Sequence, residues 1–234
     1  LADIAHSVGA LFHTDAVQTV GKLPVDVVSL DVDLLTLSAH KFHGPKGVGA
    51  LYIRRGVRID SFHHGGHQEN GRRAGTVNVP GVVGLGTAAR IAHENLSATA
   101  QHLHALTDLL WTGLNSNMTG ITRHGDRSNT VPGILNVGIN GVEGESLVLQ
   151  LDRLGVMAST GSACTSGTAS PSHVLDAIGL DTRQARSAIR FSMCRCTSTE
   201  EIQRATNVIV QAVNAQRAAY KPTSLSMKYQ SAKR

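Results

Sequence analysis

Hydrophobic positions along the 234-residue chain change period several times, and each change marks an element. Leu1, Ile4, Ala5 and Val8 share one helical face and Gly9 can cap its end, which predicts a helix over 1–8. Ala10-Leu11-Phe12-His13-Thr14 reads as a strand with Asp15 at its carboxyl end. Asp15 to Thr19 then begins a helix-like connection that stops at Gly21, and after Pro24 comes a short apolar stretch, Val25 to Leu30. The run Leu34-Leu35-Thr36-Leu37 is short, continuous and without helical spacing, so it predicts a buried strand. Helix, strand, connection and strand in this order predict a parallel α/β sheet. Asp15 and Lys41 then both lie past carboxyl ends of strands, the edge where such sheets carry ligand chemistry.

Leu51 to Ile53 continues the pattern, and Val57-Arg58-Ile59 predicts a further strand or hairpin. The stretch from His63 to Thr76 is polar and glycine-rich, too irregular for a regular element; loops of that length inside a compact domain are usually functional. Its three histidines, His63, His64 and His67, match no standard zinc spacing. Gly84-Leu85-Gly86-Thr87-Ala88-Ala89 imitates a dinucleotide fingerprint, yet Pro80 interrupts the place where a strand should feed it, so small-residue helix packing is the reading. Periodic apolar residues predict helices over 81–95 and 98–114, the second linking two domains. Further on, 133–139 alternates as a strand, and Glu143-Gly144-Glu145-Ser146 caps a helix over 147–154. Cys194 and Cys196 alternate like strand residues, and Thr199-Glu200-Glu201 caps a last amphipathic helix reaching about 219. The predicted organisation is a larger α/β part over 1–96, a smaller α+β domain over 97–220, and a polar tail over 221–234.

Composition narrows the classes. Three cysteines are too few for a disulfide framework and suit a reducing compartment, and with no span-length apolar run or signal peptide the expectation is a cytoplasmic protein without membrane contact. The net charge of +5 comes from scattered Lys and Arg, while aromatic residues make up only 3%, which leaves few platforms for stacking bases; no nucleic-acid partner is expected. The opening at Leu1, inside what reads as a helix, leads to the expectation that an amino-terminal part precedes it.

Lys41 is the centre of the candidate chemistry. It stands in Ser38-Ala39-His40-Lys41-Phe42-His43-Gly44-Pro45-Lys46-Gly47, between two histidines and ahead of turns that fix the backbone. A lysine amine and a carboxylate on one sheet edge serve pyridoxal phosphate, which needs the amine for covalent attachment and the carboxylate to keep its pyridine nitrogen protonated. Gln18, one helical turn beyond Asp15, can donate to the ring oxygen, and Ser38 and His40 to the phosphate. The plainer readings are a surface lysine beside a turn, a helix cap for Asp15 and a core histidine for His40. In the second domain Cys164 is surrounded by Ser, Thr, Gly and Ala, residues that build no apolar pocket around it, so an exposed thiol able to swing is the reading. Arg190 can offer its planar fork to a substrate carboxylate.

These stretches together resemble the group I cysteine desulfurases of the NifS/IscS type, class V members of the fold-type I enzymes that use pyridoxal phosphate. Four carry the likeness: Asp15-Ala16-Val17-Gln18, Ser38-Ala39-His40-Lys41 with Gly44-Pro45-Lys46-Gly47, Arg73-Ala74-Gly75-Thr76, and Gly161-Ser162-Ala163-Cys164-Thr165-Ser166. The resemblance implies the pyridoxal phosphate-dependent transferase fold type I, present as a partial large domain with a mostly parallel sheet plus a smaller α+β domain. It implies Lys41 as the cofactor lysine, Asp15, Gln18, Ser38 and His40 as cofactor ligands, and Thr76 reaching the phosphate of the neighbouring subunit in a homodimer. Arg190 would bind the substrate, Cys164 would be the nucleophile, no resident metal is expected, and Cys164 is where a transferred iron-sulfur cluster could make contact. The implied reaction converts L-cysteine to L-alanine and leaves a persulfide for an iron-sulfur scaffold or another sulfur acceptor. A selenocysteine lyase, another class V enzyme, or a truncated non-catalytic remnant that binds a scaffold are the alternatives. Ala39, Ala74, Cys194 and Cys196 depart from the family pattern, and the family's amino-terminal phosphate loop, ring-stacking histidine and asparagine are not among these residues.

Overall fold

The structure, a computed structural model, describes residues 1–161 and 172–219. Two compact units, Leu1–Ala100 and Gln101–Arg234, divide the chain.

In the first unit α1 (Ala2–Ser7) leads to β1 (His13–Asp15), β2 (Leu34–Ser38) and β3 (Gly49–Ile53), and α2 (Val79–Glu94) follows. The sheet has the order β1-β2-β3. β1 and β2 are parallel, with Asp15 opposite Thr36, whereas β2 and β3 are antiparallel, with Ser38 opposite Gly49. The described sheet is therefore half parallel. A parallel return needs a crossover of a dozen residues or more, and only the short segment from Ala39 to Val48 separates β2 from β3. The expected strand over Val57-Arg58-Ile59 is absent, because the Val57 amide donates to the Arg54 carbonyl (3.1 Å) and turns the chain instead. α2 begins two residues before the expected start: Asn78 accepts the Gly81 amide through its side chain, and Pro80 sits in the first turn, where its missing N–H has no partner to lose.

Four charged groups join the amino-terminal ends of this sheet. His6 Nε2 lies 2.8 Å from Asp33 Oδ2 and its Nδ1 3.2 Å from Asp31, while Arg54 reaches Asp31 at 2.6 Å and Asp33 at 3.3 Å. Asp33 is buried and also accepts the Phe12 amide at 2.8 Å.

The second unit is a three-stranded antiparallel sheet, β4 (Ile121–His124), β5 (Ile134–Ile139) and β6 (Ala188–Ser192), in the order β4-β5-β6. Residues of one face, Leu135, Val137, Ile139, Ile189 and Phe191, are buried in one cluster with three helices. These are α3 (Leu96–Asn117), which begins before the unit boundary, α4 (Gly144–Arg153) and α7 (Thr199–Ala219). Leu103, Leu106, Leu110 and Leu114 repeat at helical spacing along α3, as do Ile202, Ile209 and Val213 along α7. Each fully buried aliphatic side chain contributes about 1.5–3 kcal/mol, so this cluster is the main source of the unit's stability. Two short helices, α5 (His173–Ala177) and α6 (Thr182–Arg186), lead into β6.

Cys194 and Cys196 are not strand residues. β6 ends at Ser192, after which the Thr197 amide donates to the Cys194 carbonyl (3.0 Å) and the Cys194 amide to Thr197 Oγ1 (3.1 Å), a turn that leaves both thiols exposed. The cap of α7 lies one residue before the expected Thr199: Ser198 and Glu201 exchange side-chain-to-backbone hydrogen bonds at 2.7 and 3.2 Å.

The charged cluster of the first unit makes stability depend on pH. His6 is held above its ordinary 6.5, chiefly by its hydrogen bond to Asp33. Asp33 and Asp31 are held below 3.8, Asp33 chiefly by the Phe12 amide and Asp31 chiefly by Arg54. A raised histidine contributes fully below 6.5 and loses its share as pH rises through its folded value; the lowered carboxyls contribute above 3.8 and lose theirs as pH falls. We predict that the unfolding temperature of the protein falls as pH rises above 6.5 and that His6→Asn flattens this limb; thermal unfolding followed across pH checks it.

Candidate active site

The end of β1 stays joined to β2, because the Ala16 amide donates to the Thr36 carbonyl at 2.9 Å. Two residues beyond Thr36, Ser38 enters a 3₁₀ turn, Ala39–Phe42. Side chains three apart eclipse one another in such a turn, and here Ala39 (0% exposed) and Phe42 (4%) are buried together with Ala88 of α2. His40 and Lys41, between them, are left exposed. This is how the local sequence turns the amine outward: an apolar residue on either side of His-Lys takes the core.

Two glycines permit the arrangement. The Gly44 amide donates to the Ala39 carbonyl at 2.8 Å, and a Cβ at Gly44 would stand 2.8 Å from the Cβ of Ala39. A Cβ at Gly84 would stand 2.5 Å from Cγ of Pro45, so α2 lies directly on the turn that follows Lys41. The Gly84-Leu85-Gly86 stretch thus has a packing role at its first glycine.

On this edge Asp15 Oδ1 accepts the Val17 amide at 2.8 Å, and its other oxygen accepts no hydrogen bond among the described residues. The turn-capping role and a ligand role are compatible, each using one oxygen. Ser38 precedes the turn but its hydroxyl does not cap it; Oγ lies 2.9 Å from His40 Nδ1. With the hydroxyl donating to Nδ1, the imidazole keeps a donor at Nε2. Gln18 Oε1 accepts from Lys22 Nζ at 3.3 Å. Lys22 is a residue that the sequence reading missed, and its four-residue spacing from Gln18 was the available signal. Its pKa is lowered, first by burial and then by the charge of Lys41. Lys41 itself makes no hydrogen bond or ion pair among the described residues.

The structure therefore brings Asp15, Gln18, Ser38, His40 and Lys41 to one sheet edge. Thr76 is exposed in the loop before α2, where Arg73 bonds the carbonyls of Ala74 and Gly75 at 3.2 and 2.9 Å; no hydrogen bond joins Thr76 to the other five. Cys164 lies outside the described residues.

Arg190 occupies the middle of β6 in the second unit. It faces Asn136 across the ladder and exchanges backbone hydrogen bonds with Ser159 at 2.7 and 3.1 Å. Asn136 in turn faces His124, whose Nδ1 is 2.7 Å from Asn136 Oδ1. His124, Asn136, Arg190 and Ser159 thus form a polar row on the face opposite α3, α4 and α7, and the guanidinium of Arg190 has no carboxylate partner among the described residues. Sequence reading found only Arg190 of this row, since the others become a group only once the strands are paired.

Pyridoxal phosphate, which the sequence resemblance implies, requires an amine, an acid, and hydrogen-bond donors for a phosphate and a ring oxygen. The carboxyl edge of the first sheet supplies each type: an unpaired lysine, a carboxylate with one oxygen open, and a serine-histidine pair whose hydroxyl no backbone group uses. The residues fit the group.

Comparisons with known proteins identify the family. The family model for aminotransferase class-V matches residues 1–205, and the chain belongs to that family. Among its relatives, a protein of Gluconacetobacter diazotrophicus named cysteine desulfurase is 47% identical over 209 residues, covering 89% of this chain and 52% of the relative. Another, from Pectobacterium atrosepticum and named cysteine desulfurase IscS, is 48% identical over 204 residues, 86% of this chain and 50% of its own. A solved structure described as a NifS-like protein superposes with a TM-score of 0.79 at 41% identity, covering 88% of this chain and 53% of that one. A structure of SspA in complex with cysteine gives 0.65 at 33% identity over 84% of this chain. The chain spans about half the length of the curated relatives it matches.

The close approach at Gly44 yields a prediction. Gly44→Ala forces its methyl against Ala39, at a cost of about 1–3 kcal/mol for an overpacked site, and displaces the turn that carries Lys41. Thermal unfolding together with cofactor uptake should show both effects; a variant with wild-type values in both refutes the packing argument.

Proposed function

We propose that this chain carries the reactive lysine, the acid and the thiol of a pyridoxal phosphate-dependent cysteine desulfurase, which converts L-cysteine to L-alanine and takes the sulfur onto Cys164. The observation that supports it most is the common edge of Asp15 and Lys41, in a chain 47% identical to a protein of that name. The same reading makes the protein a cytoplasmic homodimer with Thr76 serving the neighbouring subunit, and makes an iron-sulfur scaffold or a comparable protein the sulfur acceptor. No helix of the described residues is long and apolar enough to cross a membrane.

When bound, pyridoxal phosphate supplies the electron sink that makes the substrate's α-proton removable. Asp15 would keep a proton on the ring nitrogen, Gln18 would donate to the ring oxygen, and Ser38 with His40 would hold the phosphate. Lys41 would hold the cofactor through Nζ, and the same amine would take the substrate's α-proton and return one to the product. Arg190 orients the substrate by its carboxylate. Cys164, as thiolate, attacks the substrate sulfur: an S–S bond forms, the C–S bond breaks, and its electron pair remains with the carbon that becomes the methyl group of alanine. Atoms balance with no added oxidant, since cysteine plus thiol gives alanine plus persulfide.

The test is carried out on the complete protein. Lys41→Ala should abolish the visible band of bound cofactor and lower sulfide release by at least about a hundredfold. Cys164→Ser should keep the band and lose sulfide release; continued turnover of cysteine by that variant would falsify the assignment.

A further inference from the structure

Lys22 Nζ lies 3.3 Å from Gln18 Oε1. An ammonium has donors and no acceptor, so the amide atom that faces it is the carbonyl oxygen and not the nitrogen. The contact therefore decides which way Gln18 is turned. Its Nε2, with both hydrogens, makes no hydrogen bond among the described residues. Gln18 is exposed, whereas Lys22 is partly buried, as a side chain serving its neighbour would be.

A second observation concerns charge. Burial holds the Lys22 pKa below its ordinary value, and the charge of Lys41 lowers it further, so the two amines interact although far apart in sequence. Neither has a carboxylate partner among the described residues. Two neighbouring cations without a counter-charge disfavour further positive charge and favour an anion.

We propose that Lys22 is a positioning residue of the cofactor edge: it locks the Gln18 amide so that its N–H donors remain for the cofactor's anionic ring oxygen, and it sets a second positive charge beside Lys41. The proposal rests on the pyridoxal phosphate reading. Both effects act in one direction. A donor to the ring oxygen and a cation beside the lysine each disfavour a proton where cofactor and lysine join. Lys22 thus keeps low the pH at which the bound cofactor's visible band changes. Lys41 is the charged group that acts on Lys22; Asp15 and His40, on the same edge, are unchanged by the substitution and serve as a constant background.

In the complete protein loaded with pyridoxal phosphate, Lys22→Met should raise the pH midpoint of the visible band by about one unit. Equilibrium dialysis of the apoprotein should show cofactor binding weakened by about tenfold. Lys22→Arg, which keeps charge and donors, should restore both values. In a Gln18→Leu background the shift caused by Lys22→Met should shrink, because the amide's share is already gone. Lys22→Glu, which has neither an N–H donor nor a positive charge on its side chain, carries an expectation in the same direction should the apolar side chain prevent folding. A pair that only braced its own turn would lower the unfolding temperature and leave the midpoint in place. An unchanged midpoint and unchanged binding in the Lys22 variants, with normal uptake by the wild type, overturns the role of Lys22 and leaves the cofactor reading intact. A wild-type protein that takes up no pyridoxal phosphate overturns both.

Discussion

The candidate site depends on the burial of two small stretches of apolar surface, Ala39 and Phe42, beneath α2. A four-residue 3₁₀ turn is weak by itself and holds its shape only when something covers its eclipsed side. Ala88 covers it here, Gly84 lets the helix approach as far as Pro45, and Gly44 lets the chain leave the turn across Ala39. The exposed residues inherit that rigidity. Because 39 and 42 are fixed in the core, 40 and 41 can only face away from it, and the Ser38–His40 contact holds the imidazole in place without help from the backbone. The amine at 41 is therefore positioned by its neighbours' hydrophobicity and not by any polar contact of its own among the described residues.

The second unit applies a different physical solution to its polar row. Arg190 sits in a strand paired on both sides, with β5 in the register that sets it opposite Asn136 and with Ser159 through two backbone hydrogen bonds. A rigid ladder suits the role proposed for Arg190, orienting a carboxylate by its planar fork. The buried face of the same strands, packed on α3, α4 and α7, is what makes the row rigid, since alternation places Ile189 and Phe191 inward on either side of Arg190.

Much of this was legible in the sequence, and for definite reasons. Helices α2, α3 and α7 follow from 3.6-residue periodicity, and β2 from its short apolar run. Asp15 and Lys41 could be placed on one edge because a parallel pair of strands puts both carboxyl ends together. What could not be read depended on partners distant in sequence or on hydrogen bonds that compete with extension. Val57-Arg58-Ile59 has strand composition, but the Arg54 carbonyl captures the Val57 amide. Cys194 and Cys196 alternate as strand residues do, yet the Thr197 hydroxyl captures the Cys194 amide. The row His124-Asn136-Arg190 exists only through register, and the influence of the Lys41 charge on Lys22 joins residues distant in sequence.

The first sheet also divides its charges by edge. At the amino-terminal ends of the strands, His6, Asp31, Asp33 and Arg54 satisfy one another, and Asp33 takes a backbone amide besides; charges so paired hold structure together and have little capacity left for a ligand. At the carboxyl edge the reverse holds. Asp15 keeps an oxygen open, and Lys22, its preference for charge lowered by burial and by the charge of Lys41, has no acid paired with it among the described residues. Had selection for stability alone shaped this edge, one carboxylate beside Lys41 would have been the simplest improvement, and it would also have occupied the amine. An edge left electrostatically unsatisfied, opposite an edge whose charges are paired, suits an anionic ligand, which would supply the missing charge and use the open donors.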